Sequence, residues 1–190
     1  QTLQSFDIFY INDSGRGAPY ARNSGIGLAI GLPMRYSHIL LSDDDIEWKT
    51  FAHRALLDKL TETPKAMYSY GSAIIDGIKV GRPFDSAALL DGNFIPTMSL
   101  FRLEAFSHTE IRFCEYLERL QDWDLYLQFL GEAITGVFVP EVLFEARSAA
   151  GGITRSGPGY SEAALKIMGR HPGLFRCRRA ARPVKTEGVS

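Results

Sequence analysis

The chain has 190 residues, enough for one domain with a substantial core and too few for two comfortable ones. Its 45% hydrophobic and 23% charged residues and formal net charge of -1 exclude a disordered chain and a basic nucleic-acid-binding surface, so no nucleic-acid partner is expected. No apolar run approaches the roughly 18 to 20 residues that span a bilayer, and no signal segment opens the chain. Cys114 and Cys177 lie far apart without metal-ligand spacing, so the expectation is a soluble protein with two free thiols and no zinc site.

The chain opens on Gln1 and enters almost at once the strand-like run Phe6 to Ile11, which reads as a partial sequence from which an earlier strand is missing. Turn chemistry at Asn12 to Gly17 follows, then a short helix over Tyr20 to Ile30 whose Gly25, Gly27 and Gly31 suit close packing on a sheet, ended by Gly31 and Pro33. Tyr36 to Leu41 is the next strand. Apolar positions at Ile46, Phe51, Ala55, Leu56 and Leu60 predict an amphipathic helix over Ile46 to Leu60, closed by Pro64. This alternation is the rhythm of an α/β layered domain with parallel strands. Ala66 to Tyr70, Ser72 to Ile75 and Ile78 to Val80, with Asp76-Gly77 as a hairpin turn, predict an antiparallel insertion. Phe94 to Phe101 reads as a core strand interrupted by Pro96, Tyr116 to Leu130 as the end of a helix, and Val137 to Pro140 as a short strand. Residues 1–150 are thus expected to form one domain, and residues 151–190 a glycine-rich link, one helix over Ser161 to Met168 and a loosely held basic tail from Arg176.

Three consecutive aspartates, Asp43, Asp44 and Asp45, follow the apolar run that ends at Leu41. Like charges this close repel one another, and carboxylate oxygens suit a hard cation such as Mg²⁺ or Mn²⁺, which one or two carboxylates share with substrate phosphates. The alternative is an N-cap for a helix starting near Ile46. The loops at Asn12 to Gly17 and Ser42 to Asp45 both fall at strand carboxyl ends, where open α/β sheets bind ligands, and Arg22 and Asn23 lie between them at a helix start suited to a pyrophosphate. A second acidic group, Asp122 and Asp124, flanks Trp123. Positions two apart in a helix face different ways, so one carboxylate is expected to do chemistry and the other to support structure. A carboxylate beside a tryptophan in a cleft suits a general base; a helix-start residue over a core tryptophan is the plainer alternative. No Walker-type lysine loop is present to favour phosphoryl transfer.

Several short stretches, in this order, together carry a resemblance: Asn12-Asp13-Ser14-Gly15, Ala21-Arg22-Asn23-Ser24-Gly25, Leu41-Ser42-Asp43-Asp44-Asp45-Ile46, Gly92-Asn93-Phe94 through Arg102, Gln121-Asp122-Trp123-Asp124-Leu125, and Val139-Pro140-Glu141. The chain resembles the inverting nucleotide-sugar glycosyltransferases of family 2, on its galactofuranosyltransferase-like or rhamnosyltransferase-like branch. That resemblance implies a GT-A fold, an α/β/α sandwich around a mixed, mostly parallel sheet, here N-terminally incomplete. It implies transfer of a sugar from a UDP- or dTDP-sugar donor to a hydroxyl of a glycan or lipid-linked acceptor, with Mn²⁺ or Mg²⁺ as cofactor. It further implies a cytoplasmic enzyme of cell-envelope polysaccharide synthesis, with peripheral contact at the inner membrane face as an option.

Residue by residue, Asp13, Arg22, Asn23, Asp43 and Asp44 would bind the nucleotide sugar, and Asp43 and Asp45 the metal, with Glu145 as a substitute for a metal-binding histidine found in some members. Asp122 would be the catalytic base, and Trp123 and Asp124 would support it or meet the acceptor. Gln121 departs from the family by replacing the usual acidic residue before the base. A truncated, noncatalytic binding domain is the alternative reading.

Overall fold

The computed structural model describes residues 9–12, 14–32, 36–147 and 159–181. Of the expected first strand, only Phe9 to Ile11 lie among them, and these have no regular structure. The chain then forms α1 (Ala18–Gly31), β1 (His38–Leu40), β2 (Ile46–Trp48), α2 (Ala52–Glu62), β3 (Tyr68–Ile75), β4 (Ile78–Val80), α3 (Ser86–Leu89), β5 (Leu100–Arg102), α4 (Glu104–Ser107), α5 (Gln121–Gly131), β6 (Gly136–Ala146), α6 (Tyr160–Arg170) and α7 (Pro172–Ala181).

The strands make one mixed sheet in the order β1-β5-β3-β6-β2, with β4 paired to β3. β3 and β6 are parallel, and β1 runs the same way across the antiparallel β5. The expected mixed sheet is there, with a larger antiparallel share than the sequence suggested. Alternation along β3 sends Tyr68 and Tyr70 to one face and Ser69 and Ala73 to the other, which divides the apolar residues into two cores. One core lies under α1, α3, α5 and α6, with Ile26, Leu89, Phe129 and Ile167 among its buried members. The other lies under α2, whose Ala52, Leu56 and Leu60 repeat at helical spacing and are fully buried. Helices on both faces give three layers.

Several expectations are corrected. Ile46 to Trp48 is an edge strand, paired antiparallel with Phe144 to Ala146, and α2 begins only at Ala52, so the triple aspartate caps no helix. β6 continues well past Pro140: its register against β3 steps from Gly71 opposite Val139 to Ser72 opposite Val142, and this bulge takes up the proline. The Pro140 carbonyl instead accepts from the Ser72 hydroxyl at 3.1 Å. Part of the expected tail is the helix α7.

The hairpin at Asp76-Gly77 is as expected, with φ of 52° and 79° at the two positions of the turn. The glycines of α1 do not serve close packing, since a Cβ at Gly25, Gly27 or Gly31 would meet nothing within 4 Å. Among the described residues no helix is long and apolar enough to cross a membrane.

Candidate functional site

A cleft of about 1060 Å³ opens beside the carboxyl-terminal half of β3, where Gly71, Ala73 and Ile75 form part of its wall. Open α/β sheets present ligands at such ends. Arg16 and Arg22 reach it from the start of α1, Asp43 from the loop after β1, Lys79 and Arg82 from the hairpin side, Asn93 from the loop after α3 and Asp122 from the first turn of α5. Residues more than twenty positions apart in sequence therefore converge on one concavity of mixed charge.

Arg22 links two parts of the site. Its Nη2 donates to Asp43 Oδ1 at 2.6 Å, its Nη1 to Gln121 Oε1 at 3.4 Å, and its guanidinium carbon lies 5.4 Å from the Phe113 ring centroid. The aspartate loop is anchored from behind. Trp48 Nε1 donates to Ser42 Oγ at 3.0 Å, and the Ser42 hydroxyl donates to the Asp43 carbonyl at 3.0 Å, while the Trp48 ring packs against His53 and Phe144. β2, the strand that the sequence conceals, is thus what holds Asp43 in place.

Asp122 occupies the first turn of α5. Leu120, just before it, has φ 57° and ψ 30°, a left-handed conformation that costs a non-glycine side chain energy and marks a sharp entry into the helix. Asp122 Oδ2 accepts from Asn93 Nδ2 at 2.6 Å and Oδ1 from the Trp123 amide at 2.9 Å. Burial pushes the Asp122 carboxyl above the usual range, against the pull of these donors and of the Arg22 charge. A carboxyl of raised pKa at the end of a cleft is suited to receive a proton.

Asp124 faces the other way. It is fully buried, and its carboxylate takes Arg170 Nε and His171 Nε2, each at 2.8 Å, and Gln128 Nε2 at 2.9 Å. Burial raises its pKa, but the hydrogen bonds from His171 and Arg170 outweigh it, so the carboxyl lies below the usual range. The two carboxylates thus face different ways, as their spacing predicts, with Asp124 in a structural clamp and Asp122 on the cleft.

Other expected site residues lie elsewhere. Trp123 is 3% exposed and donates to the Leu89 carbonyl at 2.7 Å, so it is a core residue that fixes α5 and does not face an acceptor. Asn23 clasps the loop after α4, donating to the Phe113 carbonyl and accepting from the Phe113 amide, both at 2.9 Å, and it does not line the cleft. Asp44 and Asp45 are exposed and outside the lining. Glu145 pairs with Lys49 at 2.5 Å on the β2 edge, away from the cleft wall, which removes it as a metal ligand there. Asp13 lies outside the described residues. The sequence motif Gly92-Asn93-Phe94 assigns Asn93 no role; only the fold brings it to Asp122.

Among the described residues no three His, Cys, Asp or Glu side chains gather into a preformed metal cage. Asp43 alone brings a hard oxygen donor to the cleft from the triple aspartate, which fits the magnesium mode of one or two carboxylates completed by substrate phosphates.

No protein-family model matches the chain, and no curated protein matches it by sequence. Solved structures of Staphylococcus aureus TarS, residues 1–349, do match in shape. The complex with UDP aligns at a TM-score of 0.59 and 12% identity over 82% of this chain and 45% of that one. The complex with UDP-GlcNAc gives 0.65 and 12% over 84% and 47%, and a further TarS structure gives 0.56 and 16% over 92% and 56%. The chain therefore spans about half the length of the TarS chains it matches. At these identities the likeness establishes the architecture: this chain has the α/β fold, built on a mixed sheet, of TarS.

Proposed function

We propose that the chain is the nucleotide-sugar-binding and catalytic part of an inverting glycosyltransferase that moves a sugar from a UDP- or dTDP-sugar to a hydroxyl of a glycan or lipid-linked acceptor. One observation carries the reading: Arg22 with Asp43, and Asp122 with Asn93, line a single cleft at the strand ends of a fold shared with a protein that binds UDP and UDP-GlcNAc.

The chemistry follows from the charges. Arg22 is placed to exchange part of its contact with Asp43 for a donor diphosphate, and its planar fork suits phosphate oxygens. Asp122 accepts the proton of the acceptor hydroxyl as that oxygen forms a bond to the anomeric carbon. The bond from that carbon to the diphosphate breaks, and its electron pair leaves with the nucleoside diphosphate. Attack on the face opposite the leaving group inverts the centre, through a transition state like the oxocarbenium ion of glycoside hydrolysis. A divalent ion held by Asp43 and by donor phosphate oxygens would supply Lewis-acid neutralisation of the departing charge.

The noncatalytic alternative draws on one feature, Gln121 in place of the expected acid, with its amide engaged by the Leu117 carbonyl at 2.8 Å. Kinetics of Asp122→Asn separate the two. The variant is expected to lose transfer by about 10² to 10⁴-fold while binding UDP as the parent does. Transfer retained by the variant sinks the base assignment, and binding without transfer in the parent favours the noncatalytic domain.

A further inference from the structure

We infer that Asn93 is the positioning residue for Asp122, a neutral donor that fixes the carboxylate's orientation toward the cleft without pairing it to a cation. The inference rests on the reading of Asp122 as the base.

The orientation of the Asn93 amide is set by its other partners. Its Oδ1 accepts from the Ile95 amide at 3.1 Å, and its Nδ2 donates to the Ile95 carbonyl at 2.9 Å as well as to Asp122 Oδ2 at 2.6 Å. Flipping the amide would set its NH₂ against the Ile95 N–H and its oxygen against both the Ile95 carbonyl and the Asp122 carboxylate, so the NH₂ is committed to Asp122. Ile95 is itself fully buried, which makes the base of this clasp rigid.

The loop that carries Asn93 is docked to α5 by other means. Trp123 Nε1 bonds the Leu89 carbonyl, and the Tyr126 hydroxyl lies 2.8 Å from the Pro96 carbonyl and 2.9 Å from Ser99 Oγ. The Asn93 to Asp122 bond is therefore surplus to holding loop and helix together, and what it adds is direction. Backbone amides, that of Trp123 on Oδ1 among them, and Asn93 on Oδ2 fix the carboxylate, which keeps lone pairs for an incoming proton.

The charged groups around Asp122 explain why a neutral donor matters. Arg22 faces it from α1 but spends its fork on Asp43 and Gln121, the Tyr126 hydroxyl lies one turn along α5, and Asp91, Glu118 and Arg119 border the same cleft. A direct cationic partner would stabilise the carboxylate strongly and weaken it as a base. An amide orients it and stabilises it only modestly.

The test uses the full chain with Asn93→Ala and Asn93→Asp; the aspartate keeps an oxygen for the Ile95 amide and removes the donation, so it serves if the alanine variant fails to fold. The Asp122 carboxyl is followed by ¹³C NMR through a pH titration, assigned by its absence in Asp122→Asn, alongside UDP affinity and the pH profile of transfer. Loss of the donor is expected to move the Asp122 titration upward, more in Asn93→Asp because two carboxyl groups then face each other. Transfer should fall roughly ten- to a hundredfold even on the alkaline plateau, with UDP affinity within about twofold of the parent. An unchanged titration, or activity lost only in step with UDP binding, overturns the inference. The titration reads Asn93 whether or not transfer is found, whereas an active Asp122→Asn removes the base assignment alone.

Discussion

Burial and hydrogen bonding act in opposite directions on the Asp122 carboxyl, and burial prevails. On the proposed reading of Asp122 as the base, that carboxyl must be ionised for transfer, so the acid limb of kcat/KM should lie at higher pH than an ordinary aspartate near about 3.9 would give. A limb at or below the ordinary value would remove Asp122 as the titrating group. For stability the sign is reversed: a raised folded pKa contributes stability below the unfolded pKa, and that contribution is lost as pH rises through the folded value. At this scale the sequence marks Asp122 and Arg22 as candidates because proton transfer and phosphate binding want those residue types at strand and helix ends, and the fold brings both to the cleft. It was silent about Asn93, whose role depends on a contact across 29 positions. Gly136 belongs to the same class of hidden constraint. It sits opposite Tyr68 in the sheet, and a Cβ there would fall inside the space of the Tyr68 ring, itself packed 5.1 Å from Tyr126 and 5.6 Å from Phe129. Gly136→Ala is expected to cost about 1 to 3 kcal/mol in chemical denaturation, and unchanged stability would show that the ring moves aside freely.

Between elements, the two ends of α5 serve different purposes. Its first turn delivers Asp122 to the cleft, while Asp124, two residues on, ties the helix to the junction of α6 and α7 through Arg170 and His171. Asp124→Asn removes a fully buried carboxylate and strands its donors. Arg170 is 42% exposed, so solvent recovers part of the loss, and a cost of about 2 to 3 kcal/mol at neutral pH is expected. Because the Asp124 pKa is depressed, its stabilisation is present above the unfolded value and lost as pH falls through the folded one. Thermal unfolding should show the gap between parent and variant closing in acid; a gap independent of pH would contradict the clamp. Element types were legible where the signal is local: α1, the Asp76-Gly77 turn and α6 were read correctly. β2 was misread as helix because three residues on a sheet edge carry no period of their own and only pairing with β6 makes them a strand. The length of β6 was hidden behind Pro140, which a bulge accommodates.

The whole molecule is a sheet between two apolar cores, and that division is what places the cleft at the strand ends, with α1 and α5 on one side and the β3–β4 hairpin on the other. The layered α/β class was legible from alternation and turn residues along the chain. The strand order was not, since four of the five pairings join strands separated by at least one other element. The central claim is that this cleft receives a nucleoside diphosphate and that Arg22 is its main cationic contact. Calorimetric titration of UDP and UDP-GlcNAc, with and without Mn²⁺, into the parent chain and Arg22→Ala tests it most directly. Binding by the parent, weakened roughly tenfold or more in the variant, is the result expected for a lost charge-assisted phosphate contact. No binding by the parent in either condition, or equal affinity in Arg22→Ala, would contradict it.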